Sequence, residues 1–273
     1  MAPRHPPAVL PHALHIPGIN KLAGKRVVLA SNSPRRKEIL QIFGLAPEIE
    51  PSTFAEDLSP LSFENIHEYP VATATHKAVE VYERLVVRSV SFSSQALPPQ
   101  FAHGLMTKSQ SADPENGPDL VIGADTVVLT HAQPLSSDIA YSELPGVSQE
   151  LLEKPENKAD NLRMLQDLNG SVCEVVTGVS LVFPVLTSPG YDIRSLEERS
   201  LVYFFDNPLS LLNAYVDSGE GLDRAGGFAI QGLGGLLIRK IEGDYHNVVG
   251  FPAASFFRFL DLLVEEDDDF LEV

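Results

Sequence analysis

The segment from Arg26 to Gly44 constrains the fold of this chain more than any other, because a buried strand, a serine loop and a helix follow one another in it. The run from Arg26 to Ala30 is short and largely apolar, which is typical of a buried strand. Ser33 is a favourable N-cap, and Pro34 suits the first helical position, where the N–H that proline lacks has no helical partner. An apolar face follows, and Gly44 is suited to end the helix. The segment therefore predicts a strand and a helix joined by a tight loop.

Three basic residues, Arg35, Arg36 and Lys37, stand in the first turn of this predicted helix. The helix macrodipole favours acidic residues there and penalises basic ones, so a plain surface helix does not explain them. Free N–H groups at the helix start, the hydroxyls of Ser31 and Ser33, and the three cations together make a suitable anion site. A solvated basic turn that tolerates a dipole penalty of a few tenths of a kcal/mol is the alternative. Spacing alone leaves both interpretations open.

Six short motifs occur together along the chain. The octet Leu29–Arg36 is the first, and the others follow in this order: Gly123–Val128, Glu153–Pro155, Thr177–Val179, Ala225–Gly232 and Asn247–Pro252. This set resembles the Maf family of nucleoside triphosphate pyrophosphatases, and the combination is highly specific. The resemblance extends over most of the chain.

The order of predicted elements indicates the fold class. Strands that alternate with helices predict an α/β fold. The resemblance implies an ITPase-like fold, with an elongated mixed β-sheet flanked by helices and a cleft between two lobes. We expect a proline-rich flexible arm at residues 1–20, one pyrophosphatase domain at 21–264 and a solvated acidic tail at 265–273. Loops inserted into the domain are expected near 89–118, 131–150 and 184–196.

Periodicity and turn residues predict the individual elements. Helices are expected over about 70–87, before Asn169–Gly170, after Asn207–Pro208 and after Pro252. Strands are expected at 119–123, from Thr126 through Leu129, and at 173–183, 201–205 and 236–241. The glycine-rich segment 220–235 is interpreted either as a flexible linker or as backbone that closely approaches a ligand or another strand, and Phe228 and Ile230 alternate in it as in a strand.

The amino-acid composition of the chain limits the kinds of molecule that it is expected to bind. The net charge of −17 argues against sequence-independent binding to nucleic acid or to anionic lipid. No apolar run has the roughly 18 residues of a membrane span, and no signal peptide is recognisable. The single cysteine, Cys173, excludes an intramolecular disulfide and fits a reducing compartment, so we expect a cytoplasmic protein with a buried thiol. A nucleotide is the expected partner rather than a nucleic-acid polymer or a membrane, and a homodimer is compatible with the resemblance.

Asp125 lies between two apolar runs, where an unpaired carboxylate would be costly to bury. From spacing alone, the favoured interpretation is a turn-forming aspartate in a hairpin. The resemblance instead implies that Asp125 activates the attacking water, either as general base or as a ligand of Mg²⁺ or Mn²⁺. Glu56 is the second metal ligand that the resemblance implies, and Mg²⁺ prefers carboxylates together with phosphate oxygens and retained waters.

The resemblance also implies the residues that bind the substrate: Ser31, Arg35, Arg36, Lys77, Thr126, Lys154 and Gln231. The implied reaction cleaves a nucleoside triphosphate between its α and β phosphates, and the cations would neutralise and position about four negative charges. Arg35, Thr126 and Gln231 stand where the pyrimidine-directed members differ from the 7-methyl-GTP-directed ones, which predicts dTTP and UTP as substrates. A purine-directed pyrophosphatase and a non-catalytic nucleotide-binding regulator are the alternatives.

Overall fold

Two compact units make up the chain in the computed structural model, which describes residues 6–95, 117–130, 149–267 and 269–272. The first unit comprises Met1–Ala124, Val179–Leu196 and Phe256–Val273, and the second comprises Asp125–Gly178 and Glu197–Ser255. The chain passes from one unit to the other four times, within three strands and one helix.

Seven strands form one mixed sheet. They are β1 (Val27–Leu29), β2 (Glu48–Ile49), β3 (Leu120–Thr130), β4 (Leu151–Leu152), β5 (Val172–Pro184), β6 (Tyr191–Phe204) and β7 (Ile238–Glu242). Their order in the sheet is β2-β1-β3-β5-β6-β7, with β4 paired to β3. β1 pairs in parallel with β2 and β3, whereas the β3–β4 and β6–β7 pairs are antiparallel. The predicted mixed sheet is confirmed.

Seven α-helices accompany the sheet in the described residues. They are α1 (Pro17–Lys21), α2 (Pro34–Ile42), α3 (Glu68–Gln95), α4 (Lys158–Leu168), α5 (Leu209–Ser218), α6 (Tyr245–Val249) and α7 (Ala253–Glu266). Short 3₁₀ helices lie at Pro60–Ser62, Glu220–Asp223, Ala225–Gly227 and Leu233–Leu237. Among the helices of these ranges, none is both long enough and apolar enough to cross a bilayer.

In the first unit, α3 packs against the sheet with its small and branched residues. This core consists of Val28, Ala30, Ala78, Val81, Tyr82, Leu85, Val121 and Val182. Gly123 makes the close approach of helix and strand feasible, since a Cβ at this position would lie 2.2 Å from the carbonyl oxygen of Ala74. The close packing of α3 on β3 fixes the helix that carries Lys77.

In the second unit, α4 and α5 pack together around a further apolar core, which includes Val128, Leu165, Cys173, Val202, Leu212 and Phe228. Asn157 caps α4 by accepting hydrogen bonds from the N–H groups of Ala159 and Asp160. The buried Cys173 confirms the predicted thiol, and burial raises its pKa above the usual range.

Several predicted elements are confirmed, and two are wrong. α2 begins at Pro34 and α5 ends before Gly219, as expected. The hairpin interpretation of Asp125 is wrong, because β3 continues without a turn through that residue. The strand expected at Phe228 and Ile230 is also wrong, since backbone turns and 3₁₀ helices occupy the glycine-rich segment.

Both ends of the chain differ from the expectation. Ala8 is buried, and the N–H of Ala46 donates to its carbonyl, so the predicted flexible arm packs on the loop after α2 from that residue onward. At the other end, Phe270 and Leu271 are buried within the predicted acidic tail. The ring of Phe270 packs edge-on against Phe183, with 5.0 Å between centroids. Apolar side chains interrupt the charged run, and burying them outweighs its solvation.

The three expected insertions have different outcomes. α3 continues to Gln95, so the start of the segment 89–118 is helical rather than a loop. Residues 96–116 and 131–148, which hold most of the first two insertions, lie outside the described residues. In the third, β5 and β6 are joined by a short connection over 185–190, and β6 begins at Tyr191 rather than near Leu201.

Candidate active site

Ser31 lies two residues after the end of β1 and is 8% exposed. Its Oγ accepts a hydrogen bond from the N–H of Ser33 at 3.2 Å and another from Nη1 of Arg36 at 3.1 Å. Ser33 occupies the N-cap position of α2 but makes no side-chain cap bond, so it does not cap the helix as expected. Both contacts use Ser31 as the acceptor, and neither uses its hydroxyl proton. The loop therefore holds a guanidinium and a hydroxyl donor at the amino end of α2.

Arg35 and Arg36 are both half-buried, and the first turn of α2 contains no acidic residue. A guanidinium presents a planar fork of donors that matches the oxygens of a phosphate group. The amino end of α2 adds its own unsatisfied N–H groups and the positive end of its dipole. This arrangement has the chemistry of a phosphate-binding loop.

Lys77 is the most deeply buried of the predicted cations, with 8% of its surface exposed. Its Nζ lies 2.8 Å from Oε2 of Glu56, so the structure brings these two predicted site residues together. Glu56 has a φ of +53°, a left-handed conformation that non-glycine residues rarely adopt. Such strain persists only where surrounding contacts impose it, and it is frequent at functional sites.

The loop before Glu56 is held on α3 by the carboxylate of Glu80. This group accepts from Ser52 Oγ at 2.9 Å, from the N–H of Thr53 at 3.0 Å, from Thr53 Oγ1 at 3.0 Å and from Arg84 Nε at 2.8 Å. Burial raises the pKa of Glu80, but the four hydrogen bonds outweigh it and lower the pKa to about 2. Glu80 is therefore ionised at neutral pH and fixes the loop that carries Glu56.

Asp125 and Thr126 are consecutive, half-buried residues in the middle of β3, in the second unit. The hydroxyl of Thr126 lies 3.0 Å from that of the buried Thr177 on β5 and 3.3 Å from the carbonyl oxygen of Gly250. Side chains alternate along a strand, so Asp125 and Thr126 point to opposite faces of the sheet. A continuous strand holds the carboxylate of Asp125 more rigidly than the hairpin turn that the residue spacing favoured.

Lys154 and Gln231 are the other predicted residues of the second unit. Lys154 follows β4, and its Nζ lies 2.7 Å from Oδ1 of Asp223, with both side chains about two-thirds exposed. An exposed pair of this kind exchanges partners at little cost, which leaves the ammonium available to a phosphate. Gln231 is exposed in a turn between Ala229 and Gly232.

The described residues contain no cluster of three or more histidine, cysteine or carboxylate side chains that could hold a metal ion. Glu56 belongs to the first unit and Asp125 to the second. Mg²⁺ is commonly bound by one or two carboxylates together with substrate phosphates and water rather than by an all-protein cage. Each carboxylate, taken by itself, is therefore of the ligand type that Mg²⁺ accepts together with phosphate oxygens and water.

The sequence did not identify four residues that contact the predicted site residues or the segments that carry them. These are Glu80, Thr177, Glu220 and Asp223. Glu80 had a readable signal, because Arg84 lies four residues further along the same helix and forms an i,i+4 ion pair with it. Thr177 stands within one of the six motifs, but its buried contact with Thr126 depends on strand pairing. For Glu220 and Asp223, no local pattern distinguishes them from solvated acids.

Comparison with known proteins gives a consistent result. The family model described as Maf-like protein matches residues 26–263. A human protein named "Probable bifunctional dTTP/UTP pyrophosphatase/methyltransferase protein" is 39% identical over 89% of this chain, which spans only 33% of that protein's length. A dTTP/UTP pyrophosphatase of Schizosaccharomyces pombe is 34% identical over 91% of this chain and 88% of its own length. A dTTP/UTP pyrophosphatase of Bacillus anthracis is 32% identical over 86% of this chain and 94% of its own length.

Proposed function

Since the chain belongs to the Maf-like family, we propose that it hydrolyses dTTP and UTP to the monophosphate and pyrophosphate. The relatives at 32–39% identity carry that activity in their names, and two of them are matched over most of their length. The structural observation that carries the proposal is the contact between Arg36 and Ser31 at the amino end of α2. It joins a guanidinium, a hydroxyl and helix N–H groups, which are the donors that a polyphosphate requires.

In the proposed mechanism, Ser31, Arg35 and Arg36 bind phosphate oxygens, and Lys77 and Lys154 add point charges. These donors neutralise the charge that develops as the bond between the α and β phosphates breaks. Lys77 would exchange its contact with Glu56 for a phosphate oxygen, which frees the Glu56 carboxylate. Asp125 accepts a proton from the attacking water or binds the metal ion. Mg²⁺ or Mn²⁺, when bound with the nucleotide, would supply further positive charge.

The preference for a pyrimidine base rests on Gln231, Thr126 and Arg35. The amide of Gln231 offers one acceptor and one donor, which match N3–H and O4 of thymine or uracil. Guanine presents two donors along the corresponding edge, to which a carboxylate would be the better partner. Cytosine can pair with the flipped amide, so Gln231 by itself does not exclude CTP.

The test is a panel of dTTP, UTP, CTP and GTP with Mg²⁺ or Mn²⁺, in which pyrophosphate and orthophosphate are measured separately. We expect pyrophosphate and the monophosphate as the first products, with dTTP and UTP turned over most efficiently. Orthophosphate as the first product would refute the assigned bond cleavage. Nucleotide binding without turnover would identify a non-catalytic nucleotide-binding protein instead.

Base preference is tested with Gln231→Glu. A carboxylate would face the O4 oxygen of thymine, so we expect kcat/KM for dTTP relative to GTP to fall by about 10- to 100-fold. An unchanged order of substrates would remove Gln231 from the base-binding site.

Location and assembly complete the proposal. An unpaired, buried cysteine fits a reducing compartment such as the cytoplasm, which imaging of the tagged protein would test. The homodimer expected from the resemblance remains a prediction that sedimentation equilibrium would check.

A further inference from the structure

The turn that carries Gln231 is anchored on both sides. The N–H of Gly232 donates to the carbonyl of Ala229 at 3.2 Å, which closes a four-residue turn with Gln231 at its third position. Before the turn, the N–H of Ala229 donates to the hydroxyl of Tyr215 on α5 at 3.0 Å. After it, the chain enters the 3₁₀ helix Leu233–Leu237. The exposed glutamine therefore stands on a short, fixed piece of backbone.

Glu220 forms the second anchor with both of its carboxylate oxygens. Oε1 accepts from the N–H of Leu233 at 3.0 Å, and Oε2 accepts from the N–H of Gly234 at 3.0 Å. One anion thus satisfies two backbone donors immediately beyond the turn. Burial raises the pKa of Tyr215 and the charge of Glu220 raises it further, so the phenol stays neutral and interacts with both the backbone and Glu220.

The contact of the Glu220 carboxylate with the backbone requires that residue 232 have no side chain. A Cβ at this position would lie 1.9 Å from Oε1 of Glu220, far inside van der Waals contact. The φ of Gly232 is −121°, so its backbone does not require glycine for its conformation. The residue that follows Gln231 therefore lacks a side chain where the carboxylate of Glu220 needs room.

We propose that Glu220 is a positioning residue that sets base specificity by holding the turn that carries Gln231, an inference that rests on the proposed function. An anchored turn fixes where the amide of Gln231 lies, although the amide can still flip about its own side-chain torsion, so the turn sets the distance at which the amide meets the edge of a base. When the anchor is lost, the turn moves and the amide of Gln231 reaches positions that suit the larger base guanine. Chemistry at the phosphates, which other residues carry, continues.

The primary test is Glu220→Gln, with Asp217→Asn as matched control. The control removes a carboxylate at the end of α5 that pairs only with the exposed Lys158 in the described structure. Glutamine keeps the shape of glutamate but presents an NH₂ group to one of the two backbone donors. We expect the ratio of kcat/KM for dTTP to that for GTP to fall about tenfold or more. We expect kcat for dTTP to stay within about threefold, with both quantities unchanged in the control.

A merely structural role gives a different result. Loss of general stability would lower kcat/KM for dTTP and GTP by the same factor and leave their ratio unchanged, which would overturn the proposal. The double variant Glu220→Gln with Gln231→Ala adds a second criterion, because residues that act together are not additive. We expect Glu220→Gln to leave the ratio unchanged when Gln231 is already absent. A full effect in that background would also overturn the proposal.

Two alternative measurements keep the test decisive. If Glu220→Gln fails to fold, Tyr215→Phe removes the acceptor on the other side of the turn, and the same fall in the ratio is expected. If the wild-type protein hydrolyses no triphosphate, the proposed activity fails, and the inference is then tested by the ratio of Kd values for dTTP and GTP. A Kd ratio that Glu220→Gln leaves unchanged would refute the positioning role independently of catalysis.

Discussion

Lys77 shows how one residue combines a structural contact with a candidate function. Its side chain is buried, and its ammonium lies 2.8 Å from the carboxylate of Glu56. A buried charge is costly unless it is paired, and such a pair adds little net stability over an apolar replacement. The pair is therefore better explained by the use of the cation than by stability.

We expect Lys77→Met to weaken dTTP binding by about tenfold or more, because a charge-assisted hydrogen bond to phosphate is lost. The free energy of unfolding should change little, since the apolar stem is retained and a buried charge is removed. Isothermal titration and urea unfolding measure the two quantities. Lys240→Met, which removes an exposed lysine paired with Glu242, is the control. A large loss of stability with unchanged affinity would make the pair structural.

Asp125 is the second residue whose role can be separated from folding. We expect Asp125→Asn to lower kcat for dTTP by about 10²- to 10⁴-fold, because the amide cannot accept the proton of water. Binding should survive, since a negative charge near the phosphates is removed. Asp167→Asn on α4 is the control, as this aspartate pairs with Arg163 at the surface. Near-wild-type turnover of Asp125→Asn would assign the carboxylate a structural role.

At the scale of elements, α3 serves as the support for the loop that precedes it. Glu80 and Arg84 contact that loop side by side, and Arg84 also donates to Glu50 at 3.1 Å and to the carbonyl of Pro51 at 2.9 Å. The ring of Phe54 stacks on His76 with 4.9 Å between centroids. Three turns of one helix thus determine the path of the loop to Glu56.

This network predicts a dependence of stability on pH. The pKa of Glu80 is lowered to about 2 in the folded protein from 4.5, so the folded state holds its proton more weakly than the unfolded state. The resulting stability is fully present above pH 4.5 and is lost as pH falls towards 2. We expect Glu80→Gln to cost about 1–2 kcal/mol at pH 6, after allowance for solvent screening of this partly exposed group.

Urea unfolding of both proteins between pH 3 and 6 measures this effect. The difference in unfolding free energy should shrink as pH falls below 4.5, because the unfolded wild type then binds a proton at Glu80 while the folded protein still holds the carboxylate ionised. Glu83→Gln, on the same helix, is the control, since Glu83 makes one long contact, 3.4 Å, with Tyr191. A difference that is independent of pH would contradict the role of the charge.

At the scale of the whole molecule, an excess of acidic residues, 37 against 20 lysines and arginines, surrounds a predicted polyanion site. Long-range attraction of a triphosphate is therefore unfavourable, and we expect binding to depend on local cations such as Arg36 and Lys77. Described residues near both ends of the chain, such as Ala8 and Phe270, are buried in the first unit. Lys21 lies 2.7 Å from Glu272.

Because Phe270 near the carboxyl terminus is buried, we expect it to contribute measurably to the free energy of unfolding. We expect Phe270→Ala to lower the free energy of unfolding by about 3–5 kcal/mol, because a fully buried ring is removed from its contact with Phe183. Phe205→Ala is the matched control, since 48% of that ring is exposed, and it should cost far less. Equal, small effects in urea unfolding would show that the end of the chain is not docked in solution.

The sequence by itself determined those features that depend on neighbouring residues. The strand, serine loop and helix from Val27 to Ile42 were predictable because an N-cap position, a proline at the helix start and an apolar run act over a few residues. The ends of α4 and α5 were predictable from Gly170 and Gly219 for the same reason. The candidate site residues came from the family resemblance, since spacing alone favoured a hairpin turn at Asp125.

Only the tertiary structure decided which residues far apart in the sequence come into contact. Glu56 and Lys77 are 21 positions apart, and Tyr215 reaches Ala229 across 14 positions, so no local pattern predicts either contact. Continuity of β3 through Asp125 depends on its neighbours in the sheet, which supply hydrogen bonds on both sides of the strand. The two contacts and the continuity of β3 have the same physical reason. Burial and pairing over long sequence distances override local propensity, because they remove more apolar surface and satisfy more polar groups than a local turn can.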